Sequence, residues 1–180
     1  MQANPSLLRA MNELRIQLTK RRDGDVVLRC IRADGSATWQ RHRGRQAGFF
    51  PLHDLTHYAV ETELGFGRGF YGLIAEGWDI EDTGVSPTRG PLPPEALIVE
   101  HIVGSLDVQR ADGSTWTAGD FNERVARFAA TRGLAPPRAF TEDDVTRLRS
   151  RLRELLARWA ALPAGEMLEL PFDRRQAPAP

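Results

Sequence analysis

Between Leu14 and His42 the chain alternates apolar and polar residues in three short runs, separated by two Asp-Gly pairs. "LRIQLTKR" sets Leu14, Ile16 and Leu18 against polar neighbours, and "VVLRCIR" does the same with Val26, Leu28 and Cys30. "ATWQRH" is the third run. Strict alternation is the pattern of a strand with one buried face, because successive side chains leave a strand on opposite sides. Asp23-Gly24 suits a tight hairpin, and "ADGS" turns the chain again. A three-strand antiparallel meander over about residues 14–43 follows. A one-faced sheet needs a cover, and the rest of the chain must supply it.

From Phe49 the period becomes helical. Pro51 is expected in a first helical turn, where its missing N–H costs nothing, and Gly65 as the stop. "FGRGFYGLIAEGWDI" reads as a glycine-rich turn and a short helix near 69–77, and residues 80–92 read as a loop. "PPEALIVEHIVGSL" opens on proline and is apolar nearly all round, so it predicts a buried helix. "RADGSTWTAG" then repeats "RADGSATW" of residues 32–39 with one residue deleted, which two turns of the same chemistry explain. Asp120 and Glu123 are read as N-cap and N3 of the helix that Gly133 ends. Thr141 caps a final helix with an apolar stripe of Val145, Leu148, Leu152, Leu155 and Trp159. "EMLELPF" supplies a last strand to the meander. The expected fold class is α+β: a small antiparallel β-meander packed with about four or five helices. One domain, 1–180, is expected, with the meander at 14–43, a helical part at about 50–162 and a frayed tail at about 173–180.

Composition narrows function by exclusion. Twenty-four basic residues balance 24 acidic ones, so the whole-chain field favours neither a nucleic acid nor an anionic membrane as partner. Cys30 is the only cysteine, which rules out an intrachain disulfide and a multi-cysteine zinc site. The opening "MQANPSLLRAMNELR" lacks the apolar core of a signal peptide. No apolar run approaches the roughly 20 residues of a membrane span, so a cytoplasmic location is expected. There is no G-x-S-x-G elbow, and Cys30, on the inward side of a strand, is a packing residue. "GFGRGFYG" follows a helix rather than a strand, which makes it a tight turn and not a phosphate loop.

The chemistry concentrates in "FFPLHDLTHYAVETELG", residues 49–65, which holds two of the four histidines. At about 100° per residue, His57 falls about 40° from His53, in one arc with Phe50, Val60 and Leu64. Both histidines therefore face inward, with Asp54 and Glu61 at the rim of that arc. Side-by-side buried imidazoles need partners for their nitrogens. Residues i and i+4 present side chains about 5–6 Å apart, which suits two ligands on one divalent ion, zinc first. Glu100 is the expected third ligand, because it interrupts the apolar "ALIVEHIVG". Glu61 sits too far along the axis and serves better as a carboxylate behind a histidine. His101 and Glu76 are further candidates, and an arginine of the last helix is the competing partner for Glu100.

"HDLTH" resembles the H-E-x-x-H motif of the zincin metallopeptidases, with Asp54 in the glutamate's place. It is similar also to the H-D-x-x-H motif of a coenzyme Q biosynthesis family. The likeness covers five residues. The extended metzincin glycine and third histidine are absent, and Gly69 stands where the coenzyme Q family has a glutamate. The wider "HDLTHYAVE…GFYGLIAEGWDI" resembles an uncharacterised bacterial family to which no function attaches. The zincin resemblance implies His53 and His57 as metal ligands and Asp54 as the residue that orients or deprotonates a water. The leading expectation is a metal-dependent hydrolase acting on a small molecule or peptide. The alternative is a non-catalytic interaction module with structural histidines, meeting nucleic acid or protein through its basic N-terminal sheet, where Trp39 lies among eight basic residues.

Overall fold

The structure, a computed structural model, describes residues 13–84 and 89–174. Strands β1 (Glu13–Lys20), β2 (Val26–Arg32), β3 (Ala37–His42) and β4 (Met167–Asp173) form one antiparallel sheet in the order β3-β2-β1-β4. The alternation read from the sequence is its register. Leu18 lies opposite Leu28 and Leu168, and Ile16 opposite Cys30 and Leu170, so one face carries a buried apolar row across three strands. Cys30 is in that row, and burial pushes its thiol far above the ordinary range. Thr38 and His42 continue the inward face on β3. The other face leaves Trp39 63% exposed.

Among the described residues five helices complete the α+β fold: α1 (Arg45–Leu64), α2 (Phe70–Ala75), α3 (Pro94–Asp112), α4 (Ala118–Thr131) and α5 (Glu142–Ala161). A 3-10 turn, Ile80–Thr83, lies inside the expected loop, of which residues 85–88 are outside the described set. Helix α1 is central and packs against both α3 and α5. Every member of the stripe on α5 is buried. Tyr58 of α1 donates its hydroxyl to the Pro171 carbonyl of β4 at 2.8 Å, which ties α1 to the edge of the sheet.

Several boundaries differ from expectation for local reasons. Helix α1 starts at Arg45, after Gly44 at φ 54, so Pro51 lies inside it rather than in its first turn. Helix α3 runs through the second "RAD" to Asp112 and stops at Gly113, which adopts φ 72. The first "RADG" is a hairpin turn and the second a helix end, because cross-strand pairing exists only at the first. Helix α4 is capped by Thr117, with Asp120 at N3 in a reciprocal box, so Asp120 is not the N-cap. A serine or threonine three residues ahead of an acid was present in the sequence and outcompetes the Asp120/Glu123 pairing. On α5 the Thr141 cap is as read, closed by Asp144.

The first two residues of the expected tail, 173 and 174, are part of the fold. Asp173 ends β4, and Arg174 donates to the Gly67 carbonyl and pairs with Glu76. Residues 175–180 and the first twelve residues lie outside the described set. Part of the basic stretch from Lys20 to Arg45 is engaged within the fold, while Arg22, Arg29, Arg43 and Arg45 are exposed. Arg41 pairs with Asp23 and Asp25, and Arg32 reaches the Ile74 and Trp78 carbonyls and Asp79. Lys20, the only lysine, donates to the carbonyls of Trp159 at 2.5 Å and Leu162 at 2.9 Å, at the C-terminal end of α5. No helix among the described residues is long and apolar enough to cross a membrane.

Candidate metal centre

Helices α1 and α3 meet through two pairs in reverse order, His57 with Glu100 and His53 with Asp107, so they run antiparallel. His57 Nε2 lies 3.3 Å from Glu100 Oε1, and the His53 ring stands edge-on to the His57 ring at 4.8 Å. One ligand atom each from His53, His57 and Glu100 fall within 4.8 Å of one another. Around a tetrahedral ion with bonds of about 2.0–2.1 Å, ligand atoms stand about 3.3 Å apart. The His57–Glu100 pair has that spacing already. Closing the third needs a shift of about 1–1.5 Å, within reach of side-chain rotation.

The remote nitrogens are both backed by carboxylates. His53 Nδ1 donates to Asp107 Oδ2 at 2.7 Å, and Asp107 is itself held by Arg110 at 3.0 Å. This fixes the proton on Nδ1 and leaves Nε2 for an ion. His57 Nδ1 faces Glu61 Oε1 at 3.5 Å, too long for a formed hydrogen bond but close enough for charge to act. Glu61 is held from behind by the backbone N–H groups of Tyr71 and Gly72, at 3.2 and 3.0 Å. A Cβ at Gly69 would stand 2.5 Å from the Glu61 carboxyl carbon, and one at Gly72 would stand 2.1 Å from the Gly67 carbonyl. The glycine-rich turn thus makes room for a buried glutamate beside His57.

The electrostatics follow from burial. For His57, burial opposes the charged ring, but Glu100 and then Glu61 outweigh it and push its pKa up to about 10. Burial raises Glu61, only partly offset by His57 and the two N–H groups. Glu100, with 41% of its side chain open to solvent, is held below the ordinary range despite its own burial, chiefly by His57. His57 and Glu61 are thus pulled toward opposite outcomes at one contact. The charged pair is His57 with Glu100, because that contact is shorter and Glu100 keeps water.

Asp54, expected at the rim of the inward arc, is 96% buried, because β3 and α2 close over the side of α1 that an isolated helical wheel leaves open. Among the described residues its Oδ2 has no hydrogen-bond partner and lies 3.8 Å from His42 Nε2, which has none either. Burial is the main force pushing the Asp54 carboxyl up to about 7, moderated by His57 and raised further by Glu100 and Asp107. Burial likewise lowers His42, whose ring stacks on Phe50 at 4.6 Å. His53, Asp54, His57 and Glu100 all line one cavity of about 650 Å³.

The remaining candidates are elsewhere. His101 turns away and stacks on Phe128 at 4.2 Å. Glu76 pairs with Arg68 and Arg174. Glu61 stands behind His57, and Glu100 meets a histidine rather than an arginine. Sequence reasoning missed Asp107 and His42. Asp107 lies two turns beyond Glu100 on the same helix face, and His42 falls on the inward period of β3, so both had a signal. No protein-family model, no curated protein and no solved structure matches this chain.

Proposed function

We propose that the chain binds one divalent cation, zinc foremost, through His53, His57 and Glu100, and is a metal-dependent hydrolase acting in the adjoining cavity. One observation carries the reading: two histidines and a carboxylate converge from two helices, and each histidine is backed by a separate acid, Asp107 or Glu61. Carboxylates behind metal-bound histidines fix ring orientation and raise basicity, an arrangement typical of such centres. Two nitrogens and one oxygen leave a coordination position for a reacting group, and the same set also suits iron. A bound ion supplies Lewis-acid chemistry. Asp54, buried and with a free acceptor atom in the same cavity, is the group to take a proton from water, the role that the likeness to the zincin motif gives it.

The experiment is elemental analysis of untagged protein with zinc titration of wild type, His57→Ala and His101→Ala. About one ion per chain is expected in wild type and His101→Ala, and none in His57→Ala. A folded wild type with stoichiometry near zero would remove the metal and the hydrolase together. The second reading would then stand, on a specific observation: His57 charged between Glu61 and Glu100 is a self-sufficient ion pair. The histidines would be structural, and the protein a non-catalytic interaction module.

A further inference from the structure

The cavity beside the metal ligands has a composition of its own, and its meaning rests on the metal reading. A volume of about 650 Å³ lies in the range of small-molecule sites. Phe50, Phe70, Ile80 and Leu92 give it apolar walls. Its charged lining is acidic besides the histidines: Asp54, Glu81 and Glu100, with no arginine or lysine among the described residues. The nearby Arg89 is turned aside, with its Nε 3.8 Å from Asp82 and its guanidinium over the Trp78 ring. Asp54 is 4% exposed, and its Oδ2, 3.8 Å from His42 Nε2, has no hydrogen-bond partner among the described residues. Glu81 is exposed at the edge and makes no ion pair among the described residues.

A buried acceptor without a donor is costly, and a ligand that brings the donor removes that cost. An ammonium offers three donors and a positive charge, and aromatic faces such as Phe50 and Phe70 also attract it. A phosphate or carboxylate would instead approach three acids with no arginine or lysine to receive it, and could pair only with His57, already held by Glu100, or with a bound ion.

We infer that the substrate is an apolar amine: a small organic cation whose ammonium is drawn by Asp54 and Glu81 and whose hydrocarbon body lies against the apolar walls.

Isothermal titration of the full chain, metal-free and zinc-loaded, with benzylamine, benzamide and benzoate tests this. Benzylamine should bind at least tenfold more tightly than benzoate. Glu81→Gln should weaken benzylamine threefold or more and leave benzamide unchanged. Benzoate binding as tightly as benzylamine, or benzylamine binding to neither form, would overturn the inference. The two failures separate. A chain that takes up no zinc yet prefers benzylamine loses the metal centre and keeps the amine site. A chain that loads zinc and prefers benzoate loses the amine site alone.

Discussion

Helices α1 and α5 are both 20 residues long, and each buries one aspartate to the same 4% exposure. Their fates are opposite. Asp144 on α5 is bound by Arg138, accepts the Thr141 N–H and meets Arg147, so it is held well below the usual carboxylate range, Arg138 contributing most. Asp54 on α1 has an oxygen with no hydrogen-bond partner among the described residues, and burial pushes it up to about 7. The contrast extends along both helices. The buried positions of α5 are otherwise apolar, whereas those of α1 include Thr56, His57 and Glu61 beside Asp54. Helix α5 is built for stability. Helix α1 sits at the centre of the core yet carries polar groups the core does not need, which is how a site departs from the rules that make a fold.

The largest expected effect lies on α5. Leu155, fully buried, should cost about 2–5 kcal/mol when changed to alanine, read by urea unfolding, with zinc affinity unchanged. A loss of zinc binding in that variant would dissolve the distinction between the helices.

Asp54→Asn should act with the reverse sign. The carboxyl's folded-state pKa is raised, so the native state holds a proton the unfolded chain releases between pH 3.8 and about 7. Metal-free wild type therefore loses stability as pH rises through that window. The amide escapes the loss, so the variant should match wild type below pH 4 and exceed it by about 1–3 kcal/mol above pH 7. Hydrolytic turnover should vanish while zinc content stays constant. A variant less stable than wild type at pH 8 would mean that Asp54 is a structural carboxylate like Asp144.

Gly69→Ala tests whether the support of His57 belongs to the site. Its Cβ collides with Glu61, and displacing the acid behind a ligand should weaken zinc binding about tenfold. Zinc titration with an unchanged circular dichroism spectrum is the check.

The smallest effect is Asp144→Asn, which removes charge from partly exposed arginine pairs and should cost about 0.5–1 kcal/mol. Here the folded-state pKa is depressed, so the wild-type advantage is present above pH 3.8 and disappears as pH falls through the lower folded value.

What was legible in the sequence divides along the same line. The stripe of α5 and the alternation of β1 and β2 were readable because one period decides which residues face inward. The inward side of His57 was readable for the same reason, whereas His53 and Glu100 keep 20% and 41% of their side chains open to solvent. The burial of Asp54 was not, because β3 and α2 close over that side of α1, and a helical wheel knows nothing of neighbours. The pairing of Glu61 with the 69–72 turn was equally hidden. Its signal was the absence of side chains, which sequence patterns score as a turn and not as space lent to another residue.

The grip of Lys20 on the end of α5 has a consequence for chemistry in solution. The chain's only lysine amine is engaged by two carbonyls whenever the helix is docked and leans over the Trp159 ring at 4.8 Å. An acylating reagent therefore meets a less available side-chain amine while the end of α5 is docked. The rate at which residue 20 is modified, read on the peptide that carries it so that the α-amine is kept apart, reports on release of the helix end.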